Sequence, residues 1–284
     1  MPSTTAILLL VCRDTPGIVA ALTGFILENR GNLIDCDFHN DAESQMFLGR
    51  LEWKFDDSAL CRDDLRSRLS TVCSRYDGRF ELHFSDVKQR IAVFCSKQDH
   101  CLLDLLQGSQ LADTNYQIAL VVSNHETLRP IVDSHSIPFV HTPVTRDIKA
   151  AAEARHLELL AEHKIDLIVM AKYMQILSGT FIAAFPNVIN IHHSFLPSFA
   201  GAKPYHQAHA RGVKLIGATA HYATEDLDCG PIIEQEVVRI SHRDSVEDLV
   251  RKGKETERTV LARAVRLHLL RRVLTYGNKT VVFA

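Results

Sequence analysis

The chain has 284 residues, of which 46% are apolar and 23% are charged, a balance typical of globular proteins rather than disordered or fibrous ones. Its 32 basic and 34 acidic side chains give a formal net charge of -2, so no bulk field attracts nucleic acid or an anionic membrane. The length favours two domains over one, because single cores rarely grow this large. We therefore expect neither nucleic-acid nor membrane partners.

Cysteine usage and the opening residues indicate a reducing, cytoplasmic setting. The seven cysteines include no Cys-x-x-Cys pair, and an odd number cannot all pair within the chain. The first apolar run, residues 6–12, is short and is followed by Arg13 and Asp14, which is typical of a strand rather than a signal peptide. No run in the sequence is long and apolar enough to span a bilayer.

Residues 1–87 carry the pattern of a ferredoxin-like βαββαβ domain. The apolar strand "TTAILLLVC" and the turn "RDTPG" precede a helix, and Gly31 stands where a left-handed helix cap is expected. Two adjacent strands follow, "NLIDCDFH" and "MFLGRLEWKF", then a helix over about 58–75 and a last strand, "RFELHFSDV". One apolar face is predicted for each strand of the pair: Ile34, Cys36 and Phe38 in the first, and Phe47, Leu51, Trp53 and Phe55 in the second.

This order is the split βαβ arrangement, and with the "DTPG" turn it resembles the ACT domain family. The resemblance implies a regulatory or dimerisation domain, a homo-oligomer, and an amino-acid effector near the turn. Its candidate contacts are Asp14, Pro16, Gly17, Ile18 and Asn32. The alternative interpretation is purely structural: Gly17 and Gly31 serve backbone geometry, and Asp14 caps the helix.

Residues 88–284 alternate strands and helices, which predicts a Rossmann-like α/β domain with a mainly parallel sheet. A helix is expected over about 174–185, before the strand "NVINIHHS", and another strand at "LIGATAHYAT". Ser245 and Asp248 have the spacing of a capping box at the start of the final helix.

Polar side chains stand where two of these strands end. Asn190 and His192 are two residues apart, so both should project from one side of the strand and His193 from the other. Ligands in such sheets bind beyond the carboxyl ends of the strands, and the loop after His221 brings Asp228 to the same place. An amide, an imidazole and a carboxylate together suit attack of water or an amine on a carbonyl.

In context, "NIHHSFLPSFAGAKPYHQA" and "GATAHYATEDLDCGPII" resemble the formyltransferase catalytic domain of folate-dependent transformylases. The resemblance implies that Asn190, His192 and Asp228 are catalytic. It also implies a folate pocket lined by Met174, Gln175, Ile176, Leu177, His221, Ala223, Thr224, Glu225, Asp226 and Leu227. His193 is read either as support for the sheet or as part of the pocket wall, and Cys229 as a small packing residue. No histidine spacing indicates a metal site, so we expect neither a metal nor a separate cofactor.

The choice between transfer and hydrolysis depends on the turn after the first strand of this domain. Transformylases acting on glycinamide ribonucleotide have a glycine-rich phosphate cradle there, whereas this turn, "CSKQDHCLLDLL", contains no glycine. Without an acceptor site, water is the natural nucleophile. The whole chain accordingly resembles the formyltetrahydrofolate deformylase family, which hydrolyses 10-formyltetrahydrofolate to formate and tetrahydrofolate, supplying formate for purine biosynthesis and balancing one-carbon pools.

The resemblance implies a role for each member of the trio. Asn190 donates to the formyl oxygen, His192 supplies a second donor or a proton, and Asp228 orients water, its pKa either raised by half-burial or coupled to that of His192. Whether His192 or Asp228 is the base stays open. Two other functions remain as alternatives: formyl transfer to an amine acceptor, and a non-catalytic sensor of folate and an amino acid.

Overall fold

The computed structural model describes residues 4–55, 60–111, 115–197 and 204–283, which form two compact units. The first comprises the chain up to Lys88 together with the chain from Leu270 onward, and the second comprises Gln89–Leu269. The predicted boundary at 87/88 lies one residue from this division. The predicted second domain, 88–284, is too long at its carboxyl end, because the last segment packs with the first unit.

The first unit has the predicted βαββαβ order. Its elements are β1 (Thr5–Arg13), α1 (Ile18–Glu28), β2 (Asn32–Asp41), β3 (Met46–Lys54), α2 (Arg62–Ser74) and β4 (Arg79–Phe84). The four strands form an antiparallel sheet in the order β2-β3-β1-β4. One face of this sheet is buried by the apolar sides of α1 and α2, and Phe47, Leu51 and Trp53 of β3 lie in that core as predicted, with Phe55 packed against it.

The other face of this sheet is covered by a hairpin that the sequence patterns did not indicate. Strands β12 (Val273–Tyr276) and β13 (Lys279–Val282) bring Leu274 and Phe283 against Leu9, Val11 and Leu48. The buried Arg50 of β3 fastens this segment, because its Nε donates to the backbone oxygen of Arg271 over 3.0 Å.

Local expectations in the first unit are corrected at three places. The left-handed residue after α1 is Arg30, with φ of 57°, rather than Gly31. Strand β2 lies at the sheet edge and its register shifts between Leu33 and Asp35; Ile34 and Cys36 are exposed, and of the three predicted residues Phe38 packs against the core. The second helix begins at Arg62, after Cys61 accepts a hydrogen bond from the Asp64 amide, while the expected start near Ser58 lies outside the described residues.

The second unit is built around a seven-stranded sheet in the order β11-β10-β9-β8-β5-β6-β7. Its strands are β5 (Gln89–Cys95), β6 (Tyr116–Ser123), β7 (Phe139–His141), β8 (Leu167–Ala171), β9 (Val188–His192), β10 (Leu215–Tyr222) and β11 (Ile232–Arg239). Strands β5 to β9 are parallel, and β10 runs antiparallel to both of its neighbours. The expected mainly parallel sheet is therefore confirmed.

Helices cover this sheet, and their bounds are α3 (His100–Gly108), α4 (Arg129–Asp133), α5 (Lys149–Glu162), α6 (Gly179–Ala184), α7 (Pro204–Arg211) and α8 (Val246–Leu269). The capping box at α8 is confirmed: the Asp248 amide donates to Ser245 Oγ over 3.2 Å, and the Ser245 amide donates to Asp248 Oδ2 over 3.1 Å. The helix expected over 174–185 is shorter. It begins at Gly179, because Ser178 caps it by accepting from the Phe181 amide.

Within the described ranges, none of the helices combines the length and apolar character that crossing a membrane requires.

Candidate active site

A cavity of about 260 Å³ lies at the carboxyl ends of β8 and β9 in the second unit. Most of the predicted folate residues line it: Met174, Gln175, Ile176, Leu177, His221, Ala223, Thr224 and Leu227. Glu225 and Asp226 belong to the same loop but are not among the residues that line the cavity. Asn190, His192 and Asp228 all line it, so the structure brings the three predicted catalytic side chains together.

Pairing of β9 with β10 positions the first of these side chains. The two strands pair antiparallel with Asn190 directly opposite His221, and Asn190 Nδ2 lies 3.2 Å from His221 Nε2. His221 Nδ1 lies 2.9 Å from the backbone oxygen of Tyr222. Since a carbonyl can only accept, Nδ1 carries a proton, and Nε2 faces both the Asn190 amide and Asp228 Oδ1, which lies 3.6 Å away. The Asn190 amide has two N–H groups, so at least one is left for a ligand.

His192 is held through both of its ring nitrogens. Its Nδ1 lies 3.1 Å from Oδ2 of Asp228, which lines the cavity. Its Nε2 lies 2.9 Å from Oγ of Ser194, which does not line the cavity. The ring is therefore oriented with Nδ1 toward the cavity. Sequence reasoning gave Ser194 no role, although its place two residues after His192 in the same motif was a usable signal.

Asp228 is placed by a tight approach of two backbone segments. The Tyr222 amide donates to the Pro231 oxygen, and a Cβ on Gly230 would lie 1.8 Å from the Tyr222 oxygen, so only glycine permits this closure. Asp228 itself adopts a left-handed backbone with φ of 56°. Cys229, beside it, is an exposed thiol rather than the packing residue we expected.

The charge state of Asp228 is set by its two histidine neighbours. Burial alone would raise the pKa of this carboxyl, but hydrogen bonds with His192 and His221 outweigh burial and hold its pKa well below the ordinary value. The expectation of a raised pKa is thus wrong, and the expectation of coupling to His192 is supported. Asp228 is an anion at neutral pH, which makes it a hydrogen-bond acceptor for His192 Nδ1–H.

Strict strand alternation predicted that His193 points away from the site, and this prediction is wrong. Strand β9 ends at His192, and beyond it the chain bends, so both imidazole rings line the cavity. The two rings stack with centroids 4.6 Å apart and planes 23° from parallel. Burial, the Lys172 ammonium and His192 lower the pKa of His193 to about 4, so this ring is neutral at physiological pH.

Lys172 belongs to a buried polar cluster that was not predicted. Its Nζ lies 3.3 Å from Glu257 Oε1, and Glu257 also contacts Tyr205 Oη at 2.7 Å and His100 Nε2 at 2.8 Å. Burial would raise the pKa of Glu257, but His100, Lys172 and Tyr205 together lower it to about 2. Lys172 lines the cavity and Glu257 comes from α8, so this contact joins residues 85 positions apart.

One side of the same cluster has the spacing of metal ligands. In the part of the chain that the structure describes, His100, Cys101 and Glu257 place ligand atoms within 4.8 Å of one another. The Lys172 ammonium already neutralises Glu257, and burial raises the pKa of the Cys101 thiol far above its usual range. This environment disfavours a cation.

The candidate effector residues of the first unit divide by burial. Asp14, Pro16, Gly17 and Asn32 are exposed, whereas Ile18 is 2% exposed and belongs to the core, so its side chain is not free to contact an effector. Asp14 does not cap α1. Gly17 occupies the N-cap with φ of 94° and without a side-chain bond, and Asp14 Oδ2 accepts from Asn40 over 2.9 Å.

The sequence matches one family model and is similar over its whole length to named proteins. The formyl transferase family model matches residues 89–265. A formyltetrahydrofolate deformylase of Synechocystis sp. is 54% identical over 284 residues, covering all of both chains. This chain belongs to the formyltetrahydrofolate deformylase family.

Solved structures extend the comparison. A deformylase from Pseudomonas syringae pv. tomato has a TM-score of 0.95 at 44% identity, over 100% of this chain and 96% of that chain. A glycinamide ribonucleotide transformylase from Symbiobacterium toebii has a TM-score of 0.66 at 30% identity, over 72% of this chain and 98% of the other. The deformylase family thus matches both units, and the transformylase matches only part of the chain.

The turn after β5 in this deformylase-family chain differs from a phosphate cradle. Ser96 is buried, and its hydroxyl contacts the backbone oxygen of Tyr173 and the Asn124 side chain at 2.6 Å. Asp99 precedes α3 at the N-cap position, where a bound phosphate would meet its negative charge. Residues 198–203, which belong to the motif "NIHHSFLPSFAGAKPYHQA", lie outside the described residues.

Proposed function

We propose that this protein hydrolyses 10-formyltetrahydrofolate to formate and tetrahydrofolate. The observation that carries the proposal is the meeting of Asn190, His192 and Asp228 at one cavity, with His192 Nδ1 3.1 Å from Asp228 Oδ2. The name shared by its full-length relatives, formyltetrahydrofolate deformylase, supports the same substrate and reaction. Formate released in this way supplies purine biosynthesis and balances one-carbon pools.

In the proposed mechanism, the Asn190 amide stabilises the charge that develops on the formyl oxygen, while both ring nitrogens of His192 are engaged by Asp228 and Ser194. The free N–H of Asn190 donates to that oxygen. The amide is held in place by His221, whose Nε2 lies 3.2 Å from Asn190 Nδ2. Water bonds to the formyl carbon, and the carbonyl electron pair moves onto oxygen. One water proton passes to the coupled His192–Asp228 pair, since an isolated Asp228 with so low a pKa would be a weak base.

Collapse of the tetrahedral species completes the reaction. The electron pair on oxygen re-forms the carbonyl, the bond from carbon to the folate nitrogen breaks, and the His192–Asp228 pair returns its proton to that nitrogen. The remaining water proton is released as formic acid ionises. The reaction consumes one water and requires no redox partner, and we propose that it uses neither a metal nor a separate cofactor.

Folate binding is proposed for the loop after β8 and the loop after β10. Three large apolar side chains at these loops are exposed, Met174 at 65%, Ile176 at 54% and Leu227 at 58%. Exposed apolar residues around a concave site are typical of a pocket that binds a flat, partly apolar ligand such as a pterin. Glu225 and Asp226 would contact the ligand only at the rim.

Formyl transfer to an amine is the second candidate, favoured by the likeness to a glycinamide ribonucleotide transformylase. The glycine-free turn after β5 argues for hydrolysis instead, because Ser96 is already bonded and Asp99 repels phosphate.

The first unit is proposed to be an ACT domain that binds an amino acid and joins subunits. Its βαββαβ order and its exposed turn residues Asp14, Pro16 and Gly17, together with Asn32, support this. A cytoplasmic location is proposed from the cysteines, because no disulfide joins them in the described parts of the chain.

The test is an assay for formate with purified protein and 10-formyltetrahydrofolate, without an amine acceptor and with a chelator present. Stoichiometric formate and tetrahydrofolate are expected. Consumption that begins only when an amine is added would establish transfer, and tight binding of the folate without turnover would establish a sensor. Loss of formate release on chelation would contradict the metal-free mechanism.

A further inference from the structure

The loop after β8, residues 172–178, is bonded at its far end to a buried carboxylate. Glu153, in α5, is buried, and its Oε1 accepts from the Ser178 amide over 2.9 Å. Its Oε2 accepts from the Ser178 hydroxyl, which in turn accepts from the Phe181 amide at the start of α6. Burying a carboxylate is costly unless hydrogen bonds compensate it, and Ser178 supplies two of them. The mechanism proposed above gives Glu153 no task.

The backbone of this loop adopts an unfavourable conformation. Lys172 and Met174 are both left-handed, with φ of 62° and 55°, although neither is glycine. Such residues stay in this region only where surrounding contacts fix them. The backbone oxygen of Tyr173, between them, accepts from the Ser96 hydroxyl. The loop is therefore fixed near its start by Ser96 and at its end by Glu153.

The stretch between these two fixed points is the one that lines the proposed folate cavity, through residues 174–177. The second folate loop approaches the same corner, because a Cβ on Gly179 would lie 3.1 Å from Glu225 Oε2. A displacement of Ser178 would therefore alter both the cavity wall after β8 and its contact with the loop after β10.

We propose that Glu153 is a positioning residue for folate: by binding Ser178, it holds the loop after β8 in the conformation that receives the ligand. The proposal rests on the folate site proposed above. Glu153 is not among the residues that line the cavity, so it acts through the loop. The three reacting side chains lie on β9 and in the loop after β10. Loss of Glu153 should therefore weaken folate binding and leave the chemical step nearly unchanged.

The experiment titrates the full chain with tetrahydrofolate and measures KM and kcat for formate release. In Glu153→Ala, Kd and KM should rise roughly tenfold or more, because two Ser178 donors lose a charged acceptor, while kcat stays within about threefold of the wild type. The matched control is Glu158→Ala, which removes an exposed carboxylate of the same helix, bonded to Arg155 over 2.9 Å, and should change neither constant. An unchanged Kd in Glu153→Ala, or a fall in kcat at unchanged Kd, would overturn the proposal.

Amide hydrogen exchange separates positioning of the loop from a general loss of stability. In Glu153→Ala, exchange of the Ser178 amide should accelerate roughly tenfold or more, while the β8 amides, which are paired within the sheet, keep their wild-type rates. Equal acceleration of the loop and of β8 would give Glu153 a merely structural role and contradict the proposal.

Glu153→Gln covers the case in which Glu153→Ala does not fold. Glutamine keeps the size of the side chain, but its single oxygen replaces two acceptors and its NH₂ group faces one of the Ser178 donors. Kd for tetrahydrofolate should rise roughly threefold or more, and a wild-type Kd in this variant would refute the proposal.

Three outcomes separate this proposal from the proposed function. If the wild type binds tetrahydrofolate but releases no formate, hydrolysis fails, and the titration still decides the role of Glu153. If the wild type releases formate and Glu153→Ala binds tetrahydrofolate equally well, the function stands and this proposal fails. A wild type that binds no tetrahydrofolate refutes the folate pocket and this proposal with it.

Discussion

At the scale of single residues, the Asn190 amide has the most specific task, because His221 fixes its orientation and leaves one N–H for the formyl oxygen. Asn190→Ala should lower kcat by roughly 100- to 1000-fold, the usual effect of removing one oxyanion donor. Folate binding should be nearly unchanged, since the pocket loops are untouched. Steady-state kinetics and a binding titration check this, and turnover within a few-fold of the wild type would assign Asn190 to packing.

Asp228 should be the more sensitive position. Asn tolerates the left-handed backbone that Asp228 adopts, so Asp228→Asn removes the charge without adding strain. We expect kcat to fall by roughly 1000-fold or more, because His192 loses the anion that orients Nδ1 and stabilises its charged form. The pH profile of kcat is the measurement, and an unchanged profile would remove Asp228 from the mechanism.

His156 links acidity to stability. This ring is 1% exposed, and burial lowers its pKa to about 4 from the ordinary 6.5. Because the unfolded chain binds the proton more readily, stability is intact above pH 6.5 and is lost as the pH falls toward 4. The difference corresponds to roughly 3 kcal/mol at the acid end. Urea unfolding should show a weaker acid dependence in His156→Phe, and an equal dependence would exclude His156 as a cause.

How much of the site the sequence could predict depends on how far apart the contacting residues lie along the chain. Asn190, His192 and Asp228 are recognisable because two short motifs carry them at the ends of predicted strands. The contact of Lys172 with Glu257 joins positions 85 apart, and no local pattern marks such a pair. The stacked position of His193 depends on where β9 stops and the chain bends, which alternation along a strand cannot indicate.

At the scale of elements, order was predictable and boundaries were not. The 3.6- and 2-residue periodicities give the βαββαβ order and the alternating strands of the second unit. They do not show that Ser178 caps α6 and so leaves the preceding loop free to line the pocket. They also do not show that β2 is an edge strand, or that a register shift between Leu33 and Asp35 interrupts its alternation at Ile34.

The turn after α1 provides a test at the level of one element. A Cβ on Gly31 would lie 2.6 Å from Trp53 Cδ1 and 2.8 Å from Ile26 Cγ2, so Gly31→Ala should destabilise the first unit by about 1 to 3 kcal/mol through overpacking. Gly24, inside α1, has nothing within 4 Å, and Gly24→Ala should stabilise by about 0.5 to 1 kcal/mol. Thermal unfolding distinguishes the two, and shifts of the same sign would contradict this packing.

At the scale of the whole molecule, the carboxyl-terminal segment completes the first unit. Phe283 is 1% exposed and packs with Leu9, Val11 and Leu48. Phe283→Ala should therefore reduce the free energy of unfolding by about 3 to 5 kcal/mol, the usual cost of deleting a buried phenyl group. Denaturant unfolding is the measurement. A loss below about 1 kcal/mol would mean that the hairpin contributes little to this unit.

The composite make-up of the first unit affects how the protein is made. During synthesis, β1 to β4 emerge from the ribosome long before residues 270–283, yet Leu9, Val11 and Leu48 pack against Leu274 and Phe283 of that last segment. The nascent chain must hold an apolar sheet face open while almost two hundred further residues are added, since the second unit spans Gln89–Leu269. The amino-terminal unit is therefore the last to finish folding. A chain terminated before residue 270 exposes this apolar face, which favours aggregation and binding by chaperones.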